Sequence, residues 1–303
     1  MTNLTPLHEM TAEIAASPAH LFSVKTATRR RGGGGGFRGG NDPAAPQYAP
    51  SGATIDYWFG EPPAGEVTLD IYDAGGNLVR GFSFNAEGVR FELPAEPSMR
   101  EWRLERVGTP RLPSDAGMHR FVWDLEHAGP WAPSRGGRGG GGGGGGGGGP
   151  MVPPGTYEAR LTAGDWSATQ RFEVVMDPRV AAEGMTVATL EEQAAFAPEV
   201  RDTLSNARLA AEKLRQARVE LEGAETGDAR SLDEALGQIQ REMIDEPYRY
   251  APIMLLGQLQ YLYGNLDGAD QEVPKDAITR HEELSAVLER LTADLERLLR
   301  TMR

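Results

Sequence analysis

Apolar and polar residues alternate with period two from Ala53 onward. In ATIDYWF, Ile55, Tyr57 and Phe59 share one face, and in EVTLDIYD, Val67, Leu69 and Ile71 do the same. Such alternation predicts strands with one buried face. The turn residues Asp73-Ala74-Gly75-Gly76-Asn77 separate the second run from LVRGFSF, which predicts a hairpin because glycine supplies the positive φ of a tight turn. RFELP and REWRLERV read as further strands. MHRFVWDL places Phe121, Trp123 and Leu125 together, and GTYEARL places Tyr157, Ala159 and Leu161 together. An Ala163-Gly164-Asp165 turn then leads into ATQRFEVV, where Phe172 and Val174 alternate. Seven or so short strands with turns between them predict a two-sheet sandwich over residues 51–176.

After Asp177-Pro178 the period becomes helical. A long helix is predicted from about Val187 to Glu222, with Pro198 kinking or dividing it. Its stripe is Ala197, Val200, Leu204, Ala207, Ala211, Leu214 and Leu221. Gly223 to Asp228 is a break, and Ser231-Leu232-Asp233-Glu234 has the form of a capping box. Leu232, Leu236, Ile239 and Met243 follow on one face, and a third helix is expected from about Pro252 to Leu266. From Pro274 the chain shows its most regular repeat, with Leu284, Leu288, Leu291, Leu295, Leu298 and Met302 stepping by four and three. That seam predicts a coiled-coil-like contact in an antiparallel four-helix bundle over residues 177–303. The expected fold class is α+β and multi-domain: an Ig-like antiparallel β-sandwich followed by an α-helical bundle. Residues 1–50, rich in Gly, Arg and Pro, are expected to be a flexible lead-in.

Composition changes this picture at two places. About half of the 39 glycines lie in Gly32–Gly40 and Gly136–Gly149, and the second run makes 132–150 a long loop within the sandwich. The formal charge is −13, unevenly placed: from Asp177 to the end there are 25 acidic and 15 basic residues, and before it 19 and 16. An acidic chain of this kind is a poor general nucleic-acid binder, since phosphate contacts need a basic face. Without cysteine there is no disulfide, thiolate chemistry or Cys-based zinc site. No apolar run approaches the ~20 residues of a membrane helix. The opening MTNLTPLHEMTAEIAASPAHLF has neither a basic leader nor a continuous apolar core of the signal-peptide kind.

Candidate chemistry is sparse. His8, His20, His119, His127 and His281 fall in no metal-ligand spacing, so no metal or other cofactor is expected. Acid–base catalysis needs two carboxylates across a cleft, whereas Glu191-Glu192 and Glu282-Glu283 read as solvent-facing pairs. Asp124 reads as a turn or backbone-bonding residue. No G-x-S-x-G elbow is present. The glycine runs lack the Lys-Ser or Lys-Thr of a phosphate loop, and the second ends in Pro150. Arg31, Arg38, Arg135 and Arg138 carry Arg-Gly-Gly pieces, too few beside the net charge to predict RNA binding. Asp73 and Asn77 are too few for calcium, which takes six to eight oxygens. Trp123 reads as core. Trp58 alternates away from Ile55 and Phe59 and is expected to be exposed; Trp131 lies at the mouth of the glycine loop and Trp166 beside a hairpin turn. These three are the candidate binding residues, since an exposed indole stacks on sugars or anchors a protein partner.

EVTLDIYDAGGNLVR (66–80), AGMHRFVWDLEHAG (116–129) and VPPGTYEARLTAGDWSATQRFEV (152–174), taken as a set, resemble the Ig-like domain first known from flagellar hook-capping proteins. Nearly the whole chain is similar to the C-terminal region of large bacterial proteins with sortilin-like, BNR-repeat β-propellers, often labelled glycosyl hydrolases. The carrying segments there are LTPLHEMTAEIAASPAHLF (4–22) and VVMDPRV (174–180). The propeller is not in this sequence, and the glycine run is a departure that lengthens one loop. The resemblance implies an extracellular or periplasmic setting and transfers no catalytic residue. The function expected is a non-catalytic accessory or assembly module acting by protein–protein contact or self-association, with a propeller domain in cis or trans as one possible partner. Two alternatives are the tail of an exported propeller-type glycan-active or peptidase-like enzyme, and a carbohydrate-binding module.

Overall fold

In a computed structural model the described residues are 4–31, 51–84, 112–131, 148–222, 226–245 and 252–302. The chain divides into two compact units: Met1–Ala128 with Met151–Glu191, and Gly129–Pro150 with Glu192–Arg303. The architecture is mixed α/β, with two sheets that are mainly antiparallel and several helices.

The first unit opens with two short helices, α1 (Thr5–Glu9) and α2 (Ala12–Ala16). Thr11 caps α2, its hydroxyl accepting from the Ile14 amide at 3.2 Å. Eight strands follow: β1 (Ala19–Leu21), β2 (Ala27–Arg29), β3 (Ala53–Phe59), β4 (Val67–Asp73), β5 (Leu78–Phe84), β6 (Gly117–Trp123), β7 (Gly155–Ala163) and β8 (Trp166–Met176). One sheet has the order β1-β3-β6 and is antiparallel throughout. The other runs β2-β8-β7-β4-β5, with only the β2–β8 pair parallel. The alternation seen in sequence is the alternation of burial. Ile55, Tyr57 and Phe59, and Val67, Leu69 and Ile71, are all fully buried, and both sheets give their inward side chains to one apolar cluster. Trp123 is fully buried within it, edge-on to Tyr157 and Phe172 with centroids 5.6 and 6.2 Å away. The hairpin β4–β5 closes as expected, and the Asp73 carboxylate accepts from the Asn77 amide at 2.8 Å.

Residues 1–50 are not simply a lead-in. The described stretch 4–31 supplies β1 and β2, and Leu21, Phe22, Val24 and Ala27 are buried. Strands of three residues are too short to show a period, so apolar positions spread over turns did not stand out. The stretch 32–50 and the expected strands RFELP and REWRLERV lie outside the described residues. At the end of β8, Asp177 caps the one-turn helix α3 (Pro178–Ala182). Its carboxylate lies under the guanidinium groups of Arg179 (2.7 Å) and Arg30 (3.2 Å). The Arg179 hydrogen bonds, with that residue's amide and the Arg30 charge, hold it at about 2.

The helices of the second unit are α4 (Val187–Leu221, its first residues within the first unit), α5 (Gly227–Met243), α6 (Leu255–Asp267) and α7 (Lys275–Thr301). Helix α4 runs unbroken through Pro198. The proline forgoes its bond to the carbonyl four residues back, while Ala197 and Val200 beside it are buried, Val200 within the helical core. The expected capping box is displaced. Thr226 is the cap of α5, accepting from the Ala229 amide at 3.3 Å, and Ser231 lies inside the helix with its hydroxyl on the Gly227 carbonyl. Four helices contribute to one buried cluster, and the α7 seam of Leu284, Leu288, Leu291 and Leu295 is buried within it. That seam is therefore occupied inside its own unit, not held open for another chain.

Candidate functional site

The strand β6 ends in a corner that the sequence shapes locally. Leu125 takes φ +64°, a left-handed conformation unusual for a branched side chain. The Asp124 carboxylate accepts from the Glu126 amide at 3.2 Å, and the Trp123 indole donates to the Glu126 carbonyl at 3.0 Å. Arg80, 3% exposed, donates to the Glu126 carbonyl at 3.4 Å and to the His127 carbonyl. Arg29, 2% exposed, donates to the Val152 carbonyl at 2.8 Å. The corner closes on the returning chain through an antiparallel bridge between Glu126 and Met151 and the Val152 amide on the Leu125 carbonyl at 2.8 Å. Buried guanidinium groups are costly unless their donors find acceptors, and here main-chain carbonyls serve. The base of the 129–150 segment is thereby fixed.

Within the second unit, that segment is held at its two described ends. The Trp131 amide donates to Ser205 Oγ at 3.0 Å, and Arg208 Nη1 donates to the Trp131 carbonyl at 3.0 Å. Arg208 also donates through Nη2 to the Gln260 side chain, which links α4 to α6 behind the contact. Farther along α6 the Tyr263 hydroxyl donates to the Gly148 carbonyl at 2.9 Å, with the tyrosine itself 1% exposed. Pro130, Gly149 and Pro150 are buried beside these bonds. Ser205 is fixed in turn, its own hydroxyl donating to the Arg201 carbonyl at 2.8 Å. Each gripping side chain addresses a main-chain atom of the segment.

The three candidate tryptophans are not brought together. Trp131 enters this grip through its backbone, its side chain half-buried. Trp58, expected to be exposed, is half-buried between its cross-strand neighbours His20 and Met118, and its indole N–H is enclosed with no acceptor among the described residues. Trp166 is half-buried against the apolar cluster of the first unit. The histidines are scattered too: His119 packs against Tyr57 and Phe59, His20 against Phe22, and His281 bonds Thr203. Among the described residues no three His, Asp or Glu are placed to hold a metal ion, and no helix is long and apolar enough to cross a membrane. The tyrosine hydroxyls of Tyr57 and Tyr157 are pushed up strongly by burial and donate to the carbonyls of Pro113 and Pro153, each at 2.7 Å. Asp56 is 4% exposed and forked by Arg120 at 2.7 and 3.1 Å.

Sequence reasoning did not find Arg29, Arg80, Ser205, Arg208 or Tyr263. A signal existed for Arg80, which by alternation with Phe82 falls on the inward side of β5, where a charge needs a reason. For Ser205 and Arg208 the only sign was a polar edge to the apolar stripe of α4, which is ordinary for any half-buried helix. Comparison of the chain with protein-family models, with curated proteins and with solved structures returns no match.

Proposed function

We propose that the chain is a non-catalytic docking module acting through protein–protein contact, in which an Ig-like sandwich carries an antiparallel four-helix bundle as the recognition element. The sandwich reading is supported by two sheets sharing one core and by the resemblance of segments 66–80, 116–129 and 152–174. The bundle reading is supported by four helices around one buried cluster. The resemblance further supports an extracellular bacterial setting, with a propeller domain as a partner. The observation that carries the functional reading is the grip on main-chain atoms of Trp131 and Gly148 by Ser205, Arg208 and Tyr263. The test is light scattering on the native full chain across a concentration series, alone and with proteins of its own source. A mass that rises with concentration, or a complex that co-elutes, is expected. A fixed monomer mass with no co-eluting species under all conditions overturns the reading.

A further inference from the structure

One stretch of the first unit belongs to both of its sheets. Residues 19–29 begin as β1, antiparallel to β3 along Tyr57–Phe59, and end as β2, parallel to β8 along Val174–Met176. The Gly60 amide donates to the Pro18 carbonyl at 2.9 Å and the Phe22 amide to the Asp56 carbonyl at 3.0 Å, which dock the first part on β3. From β8, Gln170 donates to the Leu21 carbonyl at 3.2 Å. Along its course the stretch sets Leu21, Val24 and Ala27 into the core cluster that the two sheets share. Taken out, it would leave β3 paired only with β6 and β8 only with β7, with the apolar core open between them. Bare edges of this kind template pairing with another chain.

We propose that the slot between β3 and β8 is a strand-accepting site, filled in cis by residues 19–29 and in trans by the same residues of a second copy, so that two chains exchange this strand. The proposal adds a surface in the first unit to the docking reading above and does not need the helical contacts. A second copy fits because its residues already match the slot. They are apolar at 21, 24 and 27, and basic at 30, where Arg30 lies 3.2 Å from the Asp177 carboxylate. The strands to be exchanged are also the short ones. β1 and β2 have three residues each, while β3, β6 and β7 have seven to nine. The stretch can therefore open locally while the longer pairings hold. Exchange restores in trans the contacts given up in cis, so its cost is chiefly that of bringing two chains together. The stretch is tethered to β3 through residues 30–52, and a tether of that kind gives an effective concentration on the order of millimolar. Exchange is expected as the protein approaches that concentration.

Thr28 and Val175 are parallel partners across the β2–β8 pair. Neighbouring strands lie about 4.8 Å apart, within the Cα separation that a disulfide spans, and the native chain has no cysteine to compete. The full chain carrying both Thr28→Cys and Val175→Cys is expected to close that bond within itself at high dilution. A Thr28→Cys chain and a Val175→Cys chain, mixed at about millimolar concentration and then oxidised, are expected to be joined through positions 28 and 175. Arg171→Cys, on the same strand and with a side chain 80% exposed, is the collision control. Its link to Thr28→Cys is expected to be about ten-fold rarer or less. A double variant that closes its bond while the mixed single variants give no 28–175 link, or one no more frequent than the control, overturns the proposal. Should the double variant not close, strand complementation decides. Leu21→Asp with Val24→Asp removes the apolar contacts of the cis strand, and a peptide of residues 17–31 is expected to raise that variant's thermal midpoint, whereas the peptide bearing the same two substitutions is not. A midpoint unmoved by the native peptide overturns the site. A chain that assembles in light scattering without a 28–175 link keeps the docking reading and removes this one.

Discussion

At the scale of single residues, His281 shows how one contact fixes both a tautomer and a pH response. Thr203 donates its hydroxyl proton to the Glu199 carbonyl at 3.0 Å, so it meets His281 Nε2, 2.8 Å away, as an acceptor. His281 Nε2 is therefore the donor to Thr203, and the ring lies edge-on to Phe196 at 5.4 Å. Burial lowers it below its ordinary 6.5, and the charges of Glu199 and Glu282 only partly oppose that. The unfolded chain then binds the extra proton more readily than the folded one. Stability from this group is full above 6.5 and declines as the pH falls below that value, until the folded-state value is passed. His281→Gln keeps a donor for Thr203 without a titrating ring. Urea midpoints measured from neutral pH downward are expected to fall more steeply for the native chain than for the variant; parallel profiles would clear His281 of the effect.

At the scale of elements, the start of β3 depends on a glycine. Gly52 sits at φ +128°, and a Cβ there would lie 2.1 Å from the Trp123 carbonyl oxygen, at the end of the strand that pairs with β3. Gly52→Ala must shift backbone against backbone, and it is expected to destabilise the first unit by more than ~1 kcal/mol, read as a lowered thermal midpoint; a midpoint equal to the native chain's would show that the corner yields easily. The elements themselves differ in how openly the sequence displayed them. β3, β4, β6, β7 and β8 are seven to eleven residues long and carry several turns of the period-two pattern. The long helices show their stripe for the same reason, α4 even through Pro198. β1 and β2, at three residues each, carry too little pattern to separate from a loop. The candidate site was less legible still. Its members are a serine, an arginine and a tyrosine on two helices, and their target is backbone, which has no sequence signature. What the sequence displayed instead were indoles, of which Trp131 alone enters the grip, by its amide and carbonyl.

At the scale of the whole molecule, the decisive fact is that most buried apolar side chains among the described residues fall in two clusters, one in each unit. Cooperative unfolding follows shared burial, and a chain with two separate cores is expected to depart from a single transition. Probes for the two are available in the sequence. Trp58, Trp123 and Trp166 belong to the first unit and report it by fluorescence, while the long helices dominate the far-ultraviolet dichroism. Ile55 is 0% exposed in one cluster and Leu291 1% exposed in the other, so Ile55→Ala and Leu291→Ala should each cost about 2–5 kcal/mol through lost transfer energy and a residual cavity. Ile55→Ala is expected to move the fluorescence transition in urea and leave the dichroism transition close to its native midpoint. Leu291→Ala is expected to do the reverse. If each substitution instead moved both transitions by the same amount, the two cores would be one cooperative body, and the helices could not open without unfolding the sheets.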